Sequence, residues 1–124
     1  MTRVLVVGMN PSNEPTRQAH RKNSTFDRLH RWIDELGIAP VSFINVVARP
    51  GSVSMQDVQW RELGEAAVRY DRVLALGGFA SRVLNRIGVP HHRLPHPSPR
   101  NRQFNDPSFE PAMIKEARKY LNGI

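Results

Sequence analysis

The sequence predicts an α/β protein, a three-layer α/β/α sandwich around a central, mostly parallel four-stranded sheet. Three observations carry that expectation. Short aliphatic runs alternate along the chain with stretches whose apolar residues recur at helical spacing, which is the pattern of βαβ units. The aliphatic runs lack the polar alternation of a half-solvated sheet, so strands such as Val4 to Val7 are expected to be buried on both faces. Glycine or proline closes most segments, which marks where each element stops.

Each element follows in order. Val4-Leu5-Val6-Val7 is the first strand, ended by Gly8, and a long polar loop comes after it. Phe26, Leu29, Trp32, Ile33 and Leu36 define one face of a first helix, with Ser24 or Thr25 as its cap and Gly37 as its stop. Val41 to Val47 reads as a second strand interrupted by Asn45, and Arg49-Pro50-Gly51 turns the chain. Ser54 with Asp57 resembles a short acidic helix start, after which Val58, Leu63, Ala66 and Ala67 supply an apolar face. Arg72 to Leu76 is the third strand. Gly77-Gly78 opens a helix with Phe79, Val83, Leu84 and Ile87 inward and Gly88 at its end. His91 to Leu94 forms a short fourth strand, and Ser108 starts a last helix carrying Ile114, Ala117 and Leu121. No repeat, linker or low-complexity tract interrupts the order, so residues 1–124 are expected to form a single domain; a monomer is the expected state.

The chain has 124 residues, 40% of them hydrophobic, a net charge of +7 and no cysteine. Disulfides, iron–sulfur clusters and thiolate zinc sites are therefore excluded. No apolar run approaches the roughly 20 residues of a membrane span, and Met1 to Val7 reads as a strand rather than a leader. A cytoplasmic protein with no membrane partner is expected. The excess of Lys and Arg favours an anionic partner, nucleic acid first, because each neutralised phosphate releases counterions. A basic but merely solvated surface is the alternative.

In a parallel sheet, ligands sit beyond the carboxyl ends of the strands. The loops that begin at Gly8, Val47, Gly77 and Leu94 should therefore converge on one crevice. Two of them, Gly8-Met9-Asn10-Pro11-Ser12 and His96-Pro97-Ser98-Pro99-Arg100-Asn101, are polar and stiffened by proline. Several residues there have two readings. Asn10 before Pro11 is either a turn residue or a functional amide, and Asn45 is either a satisfied core group or a recognition group. Phe26 either packs in the core or presents its ring to a ligand. Gly77-Gly78 serves either close helix packing or an anion. Arg100 and Arg102 suit solvated charges and Ser98 a turn hydroxyl, whereas His96 in a proline loop has no obvious packing role. His20, His30, His91 and His92 show no metal-ligand spacing, so no metal is expected. Trp32 and Trp60 read as packing residues.

These segments, in this order, resemble the uracil-DNA glycosylase superfamily over nearly the whole chain. Gly8-Met9-Asn10-Pro11 resembles the first family motif in the form of the single-strand-selective branch, and His96 to Asn101 resembles the second motif of that branch. Ile44-Asn45-Val46-Val47-Ala48-Arg49-Pro50 is similar to the intervening segment of the bacterial iron–sulfur branch, without its cysteines. Leu76-Gly77-Gly78-Phe79-Ala80 is similar to the loop that grips a DNA phosphate. The chain is short for the superfamily, and Ser12 stands where a glycine is usual.

The resemblance implies a monofunctional glycosylase that hydrolyses the N-glycosidic bond of uracil, or a 5-substituted uracil, in single-stranded DNA or in a duplex with the pyrimidine extruded. It implies catalytic roles for Asn10, which positions water, and His96, which contacts the departing base. Gly8, Met9, Phe26 and Asn45 would surround the base. Ser12, Gly77, Gly78, Ser98, Arg100, Asn101 and Arg102 would contact DNA. No cofactor is implied. The chemistry agrees with these residue types: a base leaving as an anion needs a preorganised donor, and a side-chain amide offers the donor and acceptor that uracil's polar edge requires. No lysine lies in the motifs, so Schiff-base lyase chemistry is not expected. Two other functions fit the same residues: a non-catalytic protein that binds uracil or a modified base in DNA, and an enzyme that modifies unusual pyrimidines.

Overall fold

The computed structural model describes residues 2–9, 24–48, 51 and 53–123. The strands are β1 (Val4–Gly8), β2 (Ser42–Asn45), β3 (Arg72–Leu76) and β4 (His92–Leu94), and the helices are α1 (Ser24–Leu36), α2 (Trp60–Ala67), α3 (Gly77–Arg86) and α4 (Phe109–Leu121). The sheet order is β2-β1-β3-β4, and all three pairings are parallel.

Alternation of side chains along each strand splits the core into two layers. Val4, Val6, Leu74, Leu76 and Leu94 face α1 and α4, where Leu29, Trp32, Ile33, Ile114 and Leu121 are buried. Leu5, Val7, Val73 and Ala75 face the other way, onto Leu63 of α2 and Ala80, Val83 and Leu84 of α3. The expected three-layer α/β/α arrangement is thus built on strands with apolar residues on both faces. Trp32 is fully buried and Trp60 packs half-buried on the second layer, as their packing role requires.

Gly37 and Gly88 end α1 and α3 as expected. Both have positive φ, at 67° and 71°, and each closes its helix with a paired bond, Ile38 N–H to Ile33 O and Val89 N–H to Leu84 O, which places glycine at the left-handed position after the last turn.

Several boundaries differ from the expectation. Ser24 and Thr25 lie inside the first turn of α1 rather than ahead of it. β2 stops at Asn45, and beyond it Val47 forms an isolated antiparallel bridge with Val58. Val58 therefore belongs to no helix. The Ser54–Asp57 capping box closes only a short 3-10 turn at Met55–Asp57, and α2 begins at Trp60. Ser108 stands at the cap position of α4, but its hydroxyl accepts no bond from the helix N–H groups and donates to Asp106 Oδ1 at 2.8 Å. A 3-10 turn at Arg102–Asn105 was not expected. It inserts Phe104 between Trp32 and Phe109. Phe26 is not part of the apolar core: it is 52% exposed.

Candidate base-excision site

The chain runs from β1 outward to β2, then returns past β1 to β3 and β4. The order reverses between β1 and β3, and the crevice beyond their carboxyl ends is where such a sheet binds ligands. Gly8 ends β1 and Gly77 follows β3, so neither strand closes the crevice with a side chain.

On one side of it, Gly8 pairs in register with Asn45. A Cβ at Gly8 would lie 2.7 Å from Asn45 Oδ1. Glycine is needed there for space, since the Asn45 carboxamide occupies the volume a side chain would take. Asn45 is half-buried and fixed from behind. Gln59 donates from Nε2 to Asn45 O at 3.3 Å, and Val46 N–H donates to Gly8 O at 2.9 Å. Among the described residues the carboxamide itself has no hydrogen-bond partner.

On the other side, Gly77 has φ of 86°, a conformation that suits glycine, and starts α3. It packs beside His96: a Cβ at Gly77 would make an ordinary contact with the His96 Cβ at 3.5 Å, so the backbone conformation rather than space calls for glycine. Pro97 is fully buried and pins the loop next to the imidazole. His96 as a whole residue is exposed. The protein packed against it desolvates the imidazolium and holds the pKa below the usual histidine range. Ser98 N–H donates to His96 Nδ1 at 3.3 Å. Because a backbone amide can only donate, Nδ1 is the acceptor and the neutral ring carries its proton on Nε2.

The rest of that loop is wired to itself. Ser98 Oγ accepts from Arg100 N–H at 3.2 Å, and Asn101 Oδ1 accepts from Gln103 N–H at 3.1 Å. Ser98 and Asn101 therefore hold the loop's shape, while Arg100 and Arg102 are exposed.

Phe26 lies in the first turn of α1. The far end of that helix, at Leu36, lines a cavity with Thr2 and Val4 at the opposite edge of the sheet. Since a helix advances about 1.5 Å per residue, the ten residues between Leu36 and Phe26 carry the aromatic ring toward the crevice edge. There it stacks on His30 with ring centroids 6.0 Å apart. Met9 continues β1 and accepts from Val47 N–H through its carbonyl at 2.9 Å. Asn10 and Ser12 lie outside the described residues, as does His20.

His91 and His92 are structural. Ser81 Oγ lies 2.8 Å from His91 Nε2 and His91 Nδ1 lies 2.8 Å from Val89 O, an arrangement that resembles a nucleophile–base pair. Ser81 is only 7% exposed, so no substrate reaches it. His92 stacks on Tyr120 of α4 at 5.3 Å.

Two features escaped the sequence reading. Gln59 braces Asn45 from 14 positions away, and nothing in its local pattern separates it from a surface glutamine. Arg93 extends its guanidinium across Gly78. A single charge inside the short fourth strand was its only local sign.

Comparison with protein families gives a match to the Uracil DNA glycosylase superfamily over residues 1–122. The chain belongs to that superfamily. Membership assigns it to glycosylase-like enzymes that act on uracil-like bases in DNA. No curated protein matches the chain significantly. None of the described helices is long and apolar enough to cross a membrane.

Proposed function

We propose that this glycosylase is monofunctional and excises uracil, or a 5-substituted uracil, by hydrolysis. The observation that carries the reading is the pair of groups flanking the β1/β3 crevice: an Asn45 carboxamide without a partner among the described residues on one side, and on the other a neutral His96 whose Nε2–H likewise has none. Excision breaks the C1′–N1 bond and forms a C1′–O bond to water, so the base departs with the bonding electron pair. A donor placed where that charge develops lowers the barrier, by about 3 kcal/mol for one preorganised group. His96 Nε2–H fills this role toward the base carbonyl nearest the sugar. Its depressed pKa supports the assignment, because the ring then acts at neutral pH as a hydrogen-bond donor rather than a proton source.

Asn45 pairs through its amide with the N3–H and O4 edge of the base, a pattern that cytosine reverses. Reaching it requires the nucleotide to leave the stack, and the exposed ring of Phe26 offers a surface for the extruded base. Asn10, next along the chain from Met9, holds the attacking water. An amide scarcely binds a proton, so it orients the water without acting as a base. The motifs contain no lysine, which leaves hydrolysis as the route and an abasic site as the product. A substrate that is single-stranded DNA or a duplex with the pyrimidine extruded, a monomeric state and a cytoplasmic location complete the reading.

The test is incubation with single-stranded oligonucleotides containing deoxyuridine or 5-hydroxymethyldeoxyuridine, followed by alkali and by chromatography for free base. Release of the base with strand scission only after alkali is expected. Intact strands across uracil and its 5-substituted forms would overturn the reading, and scission without alkali would overturn its monofunctional part.

A further inference from the structure

We propose that Arg82 and Arg93 form a two-guanidinium clamp for one phosphodiester of the DNA strand, next to the nucleotide being excised. The inference rests on the base-excision reading and adds to it a pair of residues that the sequence motifs do not contain.

Arg82 lies one turn after Gly78 on α3, and long helical side chains lean toward the N-terminus. Arg93 lies on β4 in register with Ala75 of β3, so it shares the sheet face that α3 covers. The two side chains meet over Gly78. A Cβ there would be 3.1 Å from Arg93 Nη2 and 3.4 Å from Arg82 Nη1, so both cationic groups come within 3.4 Å of one point.

Three positive sources therefore converge. Two are the guanidinium groups, and the third is the positive end of the α3 dipole, whose first turn contains Gly78. Like charges repel, and no carboxylate among the described residues offsets them. Where both partners are described residues there are four ion pairs: Arg28 and Arg31 with Glu110, Arg61 with Glu65, and Lys119 with Glu116. None includes Arg82 or Arg93. Arg82 has only a distant contact with the Phe79 ring, at 5.9 Å. Both side chains are exposed and present hydrogen-bond donors in the fork that matches phosphate.

The position relative to the chemistry selects the occupant. Gly78 follows Gly77, and Gly77 packs against His96. An anion held over Gly78 is therefore one residue from the imidazole, close enough to belong to the strand whose base His96 touches. A phosphodiester has the charge and oxygen geometry for two guanidinium forks. Gly78 has no side chain, which leaves room for the Arg93 guanidinium beside the helix start.

The experiment combines Arg82→Gln, Arg93→Gln and the double variant with a set of single-stranded deoxyuridine oligonucleotides. In each oligonucleotide one linkage near the uracil is a neutral methylphosphonate. Binding is read by fluorescence anisotropy across a salt series, and base release is measured in parallel. For the unaltered protein, one linkage should weaken binding about tenfold when neutralised, the scale of a charge-assisted hydrogen bond. In the double variant that linkage should have no further effect, and the salt slope should fall by about 0.7 for each lost contact. Melting curves confirm that the variants remain folded. Equal weakening of the unaltered and double-variant proteins at every linkage, an unchanged salt slope, or no DNA binding at all would overturn the clamp. Base release without this coupling overturns the clamp alone. Coupling without base release supports the clamp and overturns the excision reading.

Discussion

The two edges of the sheet contrast in what their polar groups are free to do. At the amino edge a cavity of about 520 Å³ is lined by Arg3, Gly37, Pro40, Tyr70, Arg118 and Leu121, among others. Its cations are committed to the protein: Arg3 lies over the Tyr70 ring at 4.9 Å, and Arg118 Nη2 donates to Glu35 O at 2.7 Å. Arg3 N–H donates to the Asp71 carboxylate at 2.7 Å as well. At the carboxyl edge, among the described residues, the His96 Nε2–H and the Asn45 carboxamide have no partner, and Arg82 and Arg93 crowd together without a carboxylate. A cavity records where elements fail to close, whereas unspent hydrogen-bonding capacity records where a ligand is missing. Size alone points to neither edge.

The contrast breaks most clearly if variants at the two edges exchange their effects. His96→Ala should lower base release about 10²- to 10³-fold, the scale of one lost oxyanion-type donor, with little change in melting temperature because the residue is exposed. Leu121→Ala at the other edge should do the reverse. Its side chain is 9% exposed in the core, so unfolding in urea should show a loss of about 2–5 kcal/mol, with turnover of the folded enzyme unchanged at low temperature. If Leu121→Ala abolished turnover while folded, the assignment of chemistry to one edge would fail.

Gly8→Ala sharpens the comparison within the carboxyl edge. A methyl group there meets Asn45 Oδ1, so uracil recognition should weaken by about 1–3 kcal/mol, the loss of a hydrogen bond or two. Asn45→Ala should show the same deficit, and the double variant should show no further loss. Additive losses would mean that Gly8 acts independently of the carboxamide.

Phe26→Ala should reduce single-strand affinity by about 1–3 kcal/mol if the ring stacks on a base. Stability should change by no more than about 0.5 kcal/mol, as for a surface position. A fall in stability with unchanged affinity would return Phe26 to a packing role.

The smallest effect is on the pH dependence of stability. Burial lowers the pKa of both His92 and His96, so in the folded state they bind protons less readily than in the unfolded chain. Their contribution is fully present above the ordinary histidine pKa and is lost as pH falls through the depressed values. Melting temperature should decline over that acidic range, and His92→Phe should flatten the decline. The neutral form of His96 should sustain base release into mildly acidic solution. A melting temperature that rose on acidification would contradict both assignments.

Much of the frame was legible from local pattern. Val4 to Val7 and Arg72 to Leu76 are apolar on both faces, and only a covered parallel sheet accommodates that. Gly37 and Gly88 marked helix ends because few other residues take the left-handed backbone there. For His96 the local pattern said only that a histidine among prolines has no obvious packing role, and its candidate part in the chemistry came from the resemblance of its loop to a family motif. Phe26 was not legible: it matches the apolar period of α1, yet it lies in the first turn, beyond the area that the sheet covers. Val58 fitted a helical face too, and its antiparallel bridge to Val47 took precedence because it satisfies backbone groups next to the crevice.

By itself the sequence determined the alternation of elements, the two-sided burial of the sheet and the polar loops that follow its strands, because these depend on residues close together in the chain. Tertiary structure decided which of those loops meet and in what chemical state. The carboxamide of Asn45 fills the space above Gly8, His96 presents Nε2–H because Ser98 occupies Nδ1, and Arg93 lies across Gly78. Each depends on strand register and on distances between segments remote in sequence, which no local pattern encodes.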